Sequence, residues 1–266
     1  MRLNKYIAHY STYSRREADR AVQDGYVRVN GEIEMNPATQ IEEGRDSIYI
    51  SGKQVTPQEK YTVIVYNKPK GEIVAKSDPK GRRTIYDSLH KDFRHFISVG
   101  RLDFASEGLL LLTDASRVAT ALMESDLERI YKLKIKGEVT PDMEDAMLNG
   151  IYLEDATAGA HSHSKIKSME FKPFIGYKIQ KNQPNYSVLK VALSEGKNRE
   201  LRRFFAHFGA EVVDLKRLSF AEIELNNLPT GKTRYLSRSE YSALHTFLKK
   251  EKHKAKEKAR VSKEKE

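Results

Sequence analysis

Gly100-Arg101-Leu102-Asp103-Phe104-Ala105-Ser106-Glu107-Gly108-Leu109-Leu110-Leu111-Leu112-Thr113 is the stretch on which the fold of this chain turns. Four leucines between Gly108 and Thr113 leave no polar position for alternation, so the run reads as a central strand buried on both faces. Just upstream, the carboxylate of Asp103 stands in a loop beside Arg101. Loops held by a rigid buried strand are where catalytic groups tend to be placed. Arg101 and Asp103, two apart in an extended segment, also suit an ordinary salt bridge.

Composition narrows the classes. The chain has 266 residues, room for a small domain plus a larger one, and 39% of them are hydrophobic, enough for a core. A formal net charge of +10 favours a polyanionic partner, with nucleic acid first. No apolar run approaches the length of a membrane span, and MRLNKYIAHY lacks the apolar core of a secretory signal. A cytoplasmic protein with no membrane partner is expected. The absence of cysteine excludes disulfides, zinc ribbons, Cys/His deaminase centres and any thiolate nucleophile. His161 and His163 alternate in what reads as a strand edge, without a third ligand nearby, and are assigned to the surface rather than to a metal.

Residues 1–60 read as a compact unit. Leu3, Tyr6, Ile7 and Tyr10 share one face of a short helix. Ser14-Arg15-Arg16-Glu17 is a capping box that opens a second helix, ended by Gly25. A strand at 26–29, an Asn30-Gly31 type I′ turn, a return strand and a last strand at 48–50 follow. Arg15 and Arg16 occupy a first helical turn, where the macrodipole disfavours cations by about 0.3–1 kcal/mol each. A bound phosphate removes that conflict. With Arg20 on the same face as Arg16, and Arg28 in the hairpin, these four are the candidate RNA contacts of the unit. A solvated helix balanced by Glu17, Asp19 and Asp24 is the plain alternative.

Residues 54–60, with Pro57, read as a linker to a larger domain over 61–248. Strands are expected at 61–67, 128–139, 165–171, 187–193 and 211–215, with helices at 116–125 and from Pro141 to Asn149. Strands and helices without a βαβ rhythm argue for an α+β fold with a mixed, largely antiparallel sheet. Residues 249–266 are almost wholly charged and Lys-rich. They are expected to form a disordered or frayed-helical tail with a nonspecific attraction for RNA.

The second informative segment is Glu195-Gly196-Lys197-Asn198-Arg199-Glu200-Leu201-Arg202-Arg203-Phe204-Phe205. Leu201, Phe204, Phe205 and Phe208 make the apolar face of a helix ending at Gly209. Arg199, Arg202 and Arg203 crowd its first two turns against the dipole, which points to an anion nearby, either RNA phosphate or a buried carboxylate.

These segments together resemble the bacterial ribosomal RNA pseudouridine synthases of the RsuA family, nearest the large-subunit type. RLNKYIA, SRREADRAV and GYVRVNGE are similar to the alpha-L RNA-binding module first described in a small-subunit ribosomal protein, with Ser11 where that module often has glycine. GRLDFASEGLLLLTD resembles the synthase signature, and the resemblance makes Asp103 the catalytic residue. It gives Arg202, in RELRR, the position of the cation that pairs with this aspartate. Arg199 and Arg203 are then RNA contacts or surface charges. By pattern alone Tyr131 is a strand residue on the core face; the resemblance makes it the ring that stacks on the target uracil. The segment NKPKG, 67–71, resembles a recurrent structural element. Ser106 stands where the family has threonine and Glu200 where some members have glutamine, and neither is expected to touch Asp103.

The chemistry implied is isomerisation of a uridine in ribosomal RNA of the large subunit or its assembly intermediate. The base has to be flipped out of its stack, and Tyr131 offers it a face. An ionised carboxylate acts at the sugar, and Arg101 fills the vacated base position or grips phosphate. No metal or organic cofactor is called for, and a monomer is expected. The same chemistry on small-subunit rRNA or tRNA, or a noncatalytic assembly factor of this fold, is the alternative. A methyltransferase would need a glycine-rich strand–loop–helix that is absent, and a glycosidase a second positioned carboxylate, for which Glu107 has no defined geometry.

Overall fold

Two short helices and a twisted hairpin open the computed structural model, which describes residues 1–57, 60–161 and 164–263, apart from the side chains of 255, 256 and 258–263. Helix α1, Leu3–Tyr10, buries Leu3, Tyr6 and Ile7. Helix α2, Arg15–Gln23, has both halves of its capping box: Glu17 N–H donates to the Ser14 hydroxyl at 3.3 Å, and Ser14 N–H to the Glu17 carboxylate at 2.7 Å. Strands β1, Val27–Val29, and β2, Glu32–Ile33, are joined by Asn30 and Gly31 at φ 54° and 91°. Two successive positive φ angles are the type I′ geometry that Asn-Gly favours. With β3, Ile48–Ile50, and β4, Lys53–Gln54, they form a sheet of order β2-β1-β3-β4. Val55 is buried in the same core and its carbonyl accepts from the Tyr6 hydroxyl, so this unit reaches into the expected linker. Residues 58–59 of that linker lie outside the described residues.

The rest of the chain contributes β5 (Val63–Lys68), α3 (Ile85–Ser88), β6 (Ile97–Ser98), β7 (Glu107–Thr113), α4 (Ser116–Met123), β8 (Arg129–Lys136) and α5 (Pro141–Asn149). It continues with β9 (Ile151–Leu153), β10 (Met169–Phe171), β11 (Gly176–Gln183), β12 (Tyr186–Leu193), α6 (Glu200–His207) and β13 (Val212–Phe220). It closes with β14 (Ile223–Glu224), β15 (Thr233–Tyr235) and α7 (Arg238–Lys263). Nine strands form one sheet in the order β11-β12-β8-β13-β7-β5-β15, with β14 on β13 and β6 on β7. Only β13 and β7 run parallel; the other neighbours are antiparallel.

The leucine run is the inner strand β7, and its side chains divide between two cores. Leu109 and Leu111 pack with Val63, Val65, Val118, Leu122 and Phe220 on one face, and Leu110 and Leu112 with Ile64, Tyr66, Ile85 and Phe96 on the other. Each leucine withdrawn from water contributes about 1.5–3 kcal/mol, which leaves no place for a polar side chain in the run.

Gly108 is dictated by the parallel pairing. A Cβ there would lie 2.2 Å from the carbonyl oxygen of Arg217 and 2.8 Å from its nitrogen, at a φ of +103°. Gly108→Ala is therefore expected to cost roughly 2–5 kcal/mol, combining overlap with backbone strain. Denaturant unfolding would show it; a parental midpoint would mean that β13 can move away freely.

Several elements differ from the sequence expectations. β11 was not foreseen, β10 is shorter than 165–171, and β13 runs on to Phe220. His161 lies in an irregular segment rather than a strand, because the chain there crosses between β9 and β10, and His163 lies outside the described residues. Lys249 marks no break: α7 passes through it and continues to Lys263. The buried turn of Tyr241, Leu244, Phe247 and Leu248 anchors that helix on the core, and a nucleated helix extends at little further cost.

Candidate active site

Asp103 sits in the turn that leads into β7, with its side chain 30% exposed. Ser106 N–H donates to the Asp103 carbonyl at 3.0 Å and closes the turn. Lys68, at the end of β5, holds it from within: its fully buried ammonium donates to the carbonyls of Pro69 (2.9 Å), Asp103 (3.2 Å) and Ser106 (2.8 Å). Gly71 N–H donates to the Phe104 carbonyl at 2.8 Å. The 68–71 turn thus takes up the loop's backbone acceptors and leaves the carboxylate to α6.

Burial pushes the Lys68 ammonium down to about 8, against the pull of Glu72, Asp103 and Glu107. Between there and the ordinary lysine value near ~10.4, the unfolded chain holds this proton and the folded chain does not. The cost of burying the charge is therefore complete below about pH 8 and fades above it. Relative to Lys68→Met, the parent is expected to gain stability from pH 7.5 to about 9.5 in urea unfolding; a constant difference would contradict the shift.

Two guanidinium groups meet the Asp103 carboxylate. Arg199 Nη1 lies 3.3 Å from Oδ2, and Arg199 Nε donates to the Gly159 carbonyl at 2.7 Å. Arg199 caps α6 in a left-handed conformation, φ 52°, a strain of roughly 1–2 kcal/mol for a residue with a Cβ. Arg202 Nε stands 3.5 Å from the same oxygen as an ion pair without hydrogen-bond geometry. Its fork is used elsewhere: Nη1 donates to the Val212 carbonyl at 2.8 Å, and Nη2 to the Ala105 carbonyl and the Ser106 hydroxyl, both at 3.3 Å. Burial and the neighbouring Arg199 draw the Arg202 guanidinium below its usual range, yet an arginine keeps its proton at any working pH.

The structure corrects two assignments, those of Arg203 and Ser106. Arg203 is fully buried and neither an RNA contact nor a surface charge; it donates to the Ala156 carbonyl, Ser164 Oγ (2.7 Å), Asn198 O (3.1 Å) and Asn198 Oδ1 (3.2 Å). Successive helical residues point about 100° apart, so Arg202 faces Asp103 while Arg203 faces the chain between β9 and β10. Arg199, expected as an RNA contact or surface charge, also pairs with the Asp103 carboxylate. Arg101 is exposed and, among the described residues, forms no ion pair, because Asp103 is taken by α6. Ser106 does touch Asp103, through its amide, and links it to Arg202.

Tyr131 is 8% exposed on β8, in the core that holds Leu133 and Leu215. Sheet register brings it near the site: Arg217 on β13 pairs with Gly108 on one side and Tyr131 on the other. Two strand spacings place Tyr131 about 10 Å from Gly108 in the same row. Phe104, next to Asp103, is 47% exposed and adds an aromatic ring at the mouth. Sequence reasoning passed over it and over Lys68; a lysine closing an otherwise apolar strand was the available signal.

On the N-terminal unit, Arg15, Arg16, Arg20 and Arg28 are all exposed. Arg16 and Arg20 line a groove of about 500 Å³ with Asn4, Asp19, Gln23 and Pro37. Arg28 Nη1 folds back to the Gly31 carbonyl at 2.8 Å. Helix α1 packs on α4, where the Ser116 hydroxyl donates to the Ala8 carbonyl at 2.8 Å. Among the described residues no cluster of His, Asp or Glu could hold a metal ion, and no helix is long and apolar enough to cross a membrane.

A half-buried carboxylate between two arginines thus stands in a loop ahead of a buried strand, and the chain matches known proteins of one family. The family model for RNA pseudouridylate synthase covers residues 62–207, and that for the S4 domain residues 1–46. The chain belongs to the RNA pseudouridine synthases. An RNA pseudouridine synthase of Helicobacter pylori is 52% identical over 250 residues, 93% of this chain and 95% of that one. The ribosomal large subunit pseudouridine synthase B of Bacillus subtilis is 32% identical over 248 residues, 92% of this chain and 96% of that one. A crystal structure of a pseudouridylate synthase, 28% identical, superposes with a TM-score of 0.61 over 92% of this chain and 99% of that one. The S4 module, the mixed sheet and the isomerase activity are those of a pseudouridine synthase.

Proposed function

We propose that this synthase isomerises a uridine of large-subunit ribosomal RNA, using Asp103 as its one catalytic carboxylate. The observation that carries the reading is the pair of guanidinium groups on Asp103, 3.3 and 3.5 Å from one carboxylate oxygen. They aim the carboxylate, while the buried Lys68 fixes its backbone. At the carboxylate itself two guanidinium groups face one aspartate, and that local surplus of positive charge draws in a phosphate backbone. The name of the Bacillus relative supports the choice of subunit.

The reaction breaks N1–C1′, turns the uracil and joins C5 to C1′; C5 gives up a proton and N1 takes one, so nothing else is consumed. Asp103 acts at the sugar of the flipped nucleotide. Tyr131 supports the freed base, a stacking contact worth about 1–3 kcal/mol. Arg101, exposed beside the carboxylate, is free to meet phosphate or to occupy the space left in the stack. The enzyme works as a monomer in the cytoplasm.

Comparison of pseudouridine maps of rRNA from parent and deletion strains tests this. One site should vanish from the large subunit. Loss from small-subunit rRNA or tRNA instead would overturn the choice of RNA. No loss anywhere, with no tritium release from C5-labelled RNA, would favour an assembly factor.

Residues 1–60 serve as a separately folding RNA grip. Their removal is expected to leave the thermal transition of the larger domain, lowered by the lost α1–α4 contact, and to weaken RNA binding. Cooperative loss of all structure on truncation would refute independent folding.

A further inference from the structure

A groove of about 700 Å³ opens at the far end of β7 from Asp103, lined by Lys60, Tyr61, Asp114, Arg238, Tyr241 and His245. Val63 pairs with Thr113 there, whereas Asp103 lies before Glu107, so the length of β7 puts the groove on the order of 20 Å from the catalytic loop. Its floor is aromatic. Tyr61 and Tyr241 lie with ring centroids 6.2 Å apart, and Arg117 stands over Tyr61 at 5.4 Å. The one acid among its described lining residues, Asp114, already accepts from Thr62 N–H at 2.8 Å.

Helix α7 continues this groove as a basic stripe. Arg238, Ser242, His245, Lys249 and Lys252 are spaced i, i+4, i+7, i+11 and i+14, which confines them to an arc of about 80° and a length of about 21 Å. All five are exposed. Among the described residues, Arg238, Lys249 and Lys252 make no ion pair. Two of the helix's three acids are used away from the stripe: Glu240 pairs with Arg234 at 2.7 Å and Glu251 with Lys254 at 2.9 Å. An uncompensated row of cations leading from an aromatic groove suits a phosphate backbone with an unpaired base stacked at one end. The groove also adjoins α4, on which the S4 module packs through α1.

We propose that the stripe of α7 and the Tyr61–Tyr241 groove form a second RNA-binding surface, which grips the substrate RNA several nucleotides away from the target uridine. The surface extends the RNA grip of the module across the far end of the sheet. It rests on the substrate being RNA, as the family is, and not on which RNA is modified.

The test is a triple variant, Arg238→Gln, Lys249→Gln and Lys252→Gln, compared with Lys178→Gln, Lys181→Gln and Lys190→Gln. The second set removes the same charge from exposed positions of β11 and β12. Binding of unmodified large-subunit rRNA transcript is measured against salt, with turnover on the same transcript. The α7 variant should bind at least tenfold more weakly near 0.1 M salt, with a salt slope lower by about 2–3, as expected for three lost phosphate contacts. Its KM should rise while kcat changes less than twofold, and its thermal midpoint should stay parental. The control should lose less than one unit of slope. Equal losses from both sets, or an unchanged slope for the α7 variant, would overturn the proposal, including in favour of an acidic protein as occupant. Failure of the parent to modify the transcript would instead count against the large-subunit reading, and the binding comparison would still stand.

Discussion

Asp103→Asn is expected to reduce isomerisation by at least three orders of magnitude, roughly 4 kcal/mol or more of transition-state stabilisation, with RNA affinity within a few-fold of the parent. The amide has nearly the shape of the carboxylate, and the loop that carries it is held through backbone atoms. Lys68 binds the Asp103 and Ser106 carbonyls and Gly71 binds that of Phe104, none of which the substitution alters. What disappears is the charge, and with it the group that could attack C1′ or take the 2′ proton. Removing an anion between Arg199 and Arg202 also takes away a charge that would repel phosphate, so binding should hold or tighten. Glu107→Gln is the control: Glu107 stands opposite Lys216 of β13 in the parallel register and makes no ion pair with Arg199 or Arg202, so substantial activity should remain. Tritium release on rRNA lacking the modification, with and without EDTA, reads both. Near-parental turnover by the asparagine variant, or a strict metal requirement, would sink the single-aspartate mechanism.

Much of this was legible because it is local. The four leucines could only be an inner strand, the Ser14–Glu17 box could only start a helix, and Asn30-Gly31 could only turn a hairpin. Each of these is decided within seven residues or so. β11 escaped notice because its sequence, GYKIQKNQ, is polar and mostly exposed, and its pairing with β12 rather than its composition makes it a strand. The site was half legible. The resemblance singled out Asp103 and Arg202, which the fold brings within 3.5 Å of each other, but the RELRR arginines look alike in sequence, and only the folded helix sorts them. Arg199 reaches Asp103 across 96 positions of chain because its backbone turns left-handed, and Arg203 is consumed by the segment between β9 and β10. Lys68 owes its role to a loop 35 residues away. No periodicity carries such contacts.

Arg202→Ala should be the most damaging change outside Asp103 itself, with kcat lowered by about 10²–10³-fold, roughly 3–4 kcal/mol, and KM little altered. Arg202 spans the site: it meets Asp103 Oδ2 at 3.5 Å while its fork ties the Val212 carbonyl on β13 to the Ala105 carbonyl and the Ser106 hydroxyl in the catalytic loop. Alanine leaves those acceptors without their donor, at a cost of about 1–3 kcal/mol for each one that is buried, as at Val212 and Ser106. The loop then loses its link to β13 and the carboxylate keeps only Arg199. Arg199→Gln should be milder, about tenfold in kcat, since Arg202 remains and the lost bond to Gly159 touches only the segment between β9 and β10. Arg202→Lys separates charge from geometry. An ammonium restores the cation but cannot bridge three acceptors as the planar fork does, so it should fall between parent and alanine. Single-turnover rates with RNA in excess isolate the chemical step, and thermal unfolding reports how much of each loss is structural. If Arg202→Ala turned over like the parent while Arg199→Gln failed, the partner of the catalytic carboxylate would be Arg199, and α6 would have to be read from its N-cap rather than its third residue.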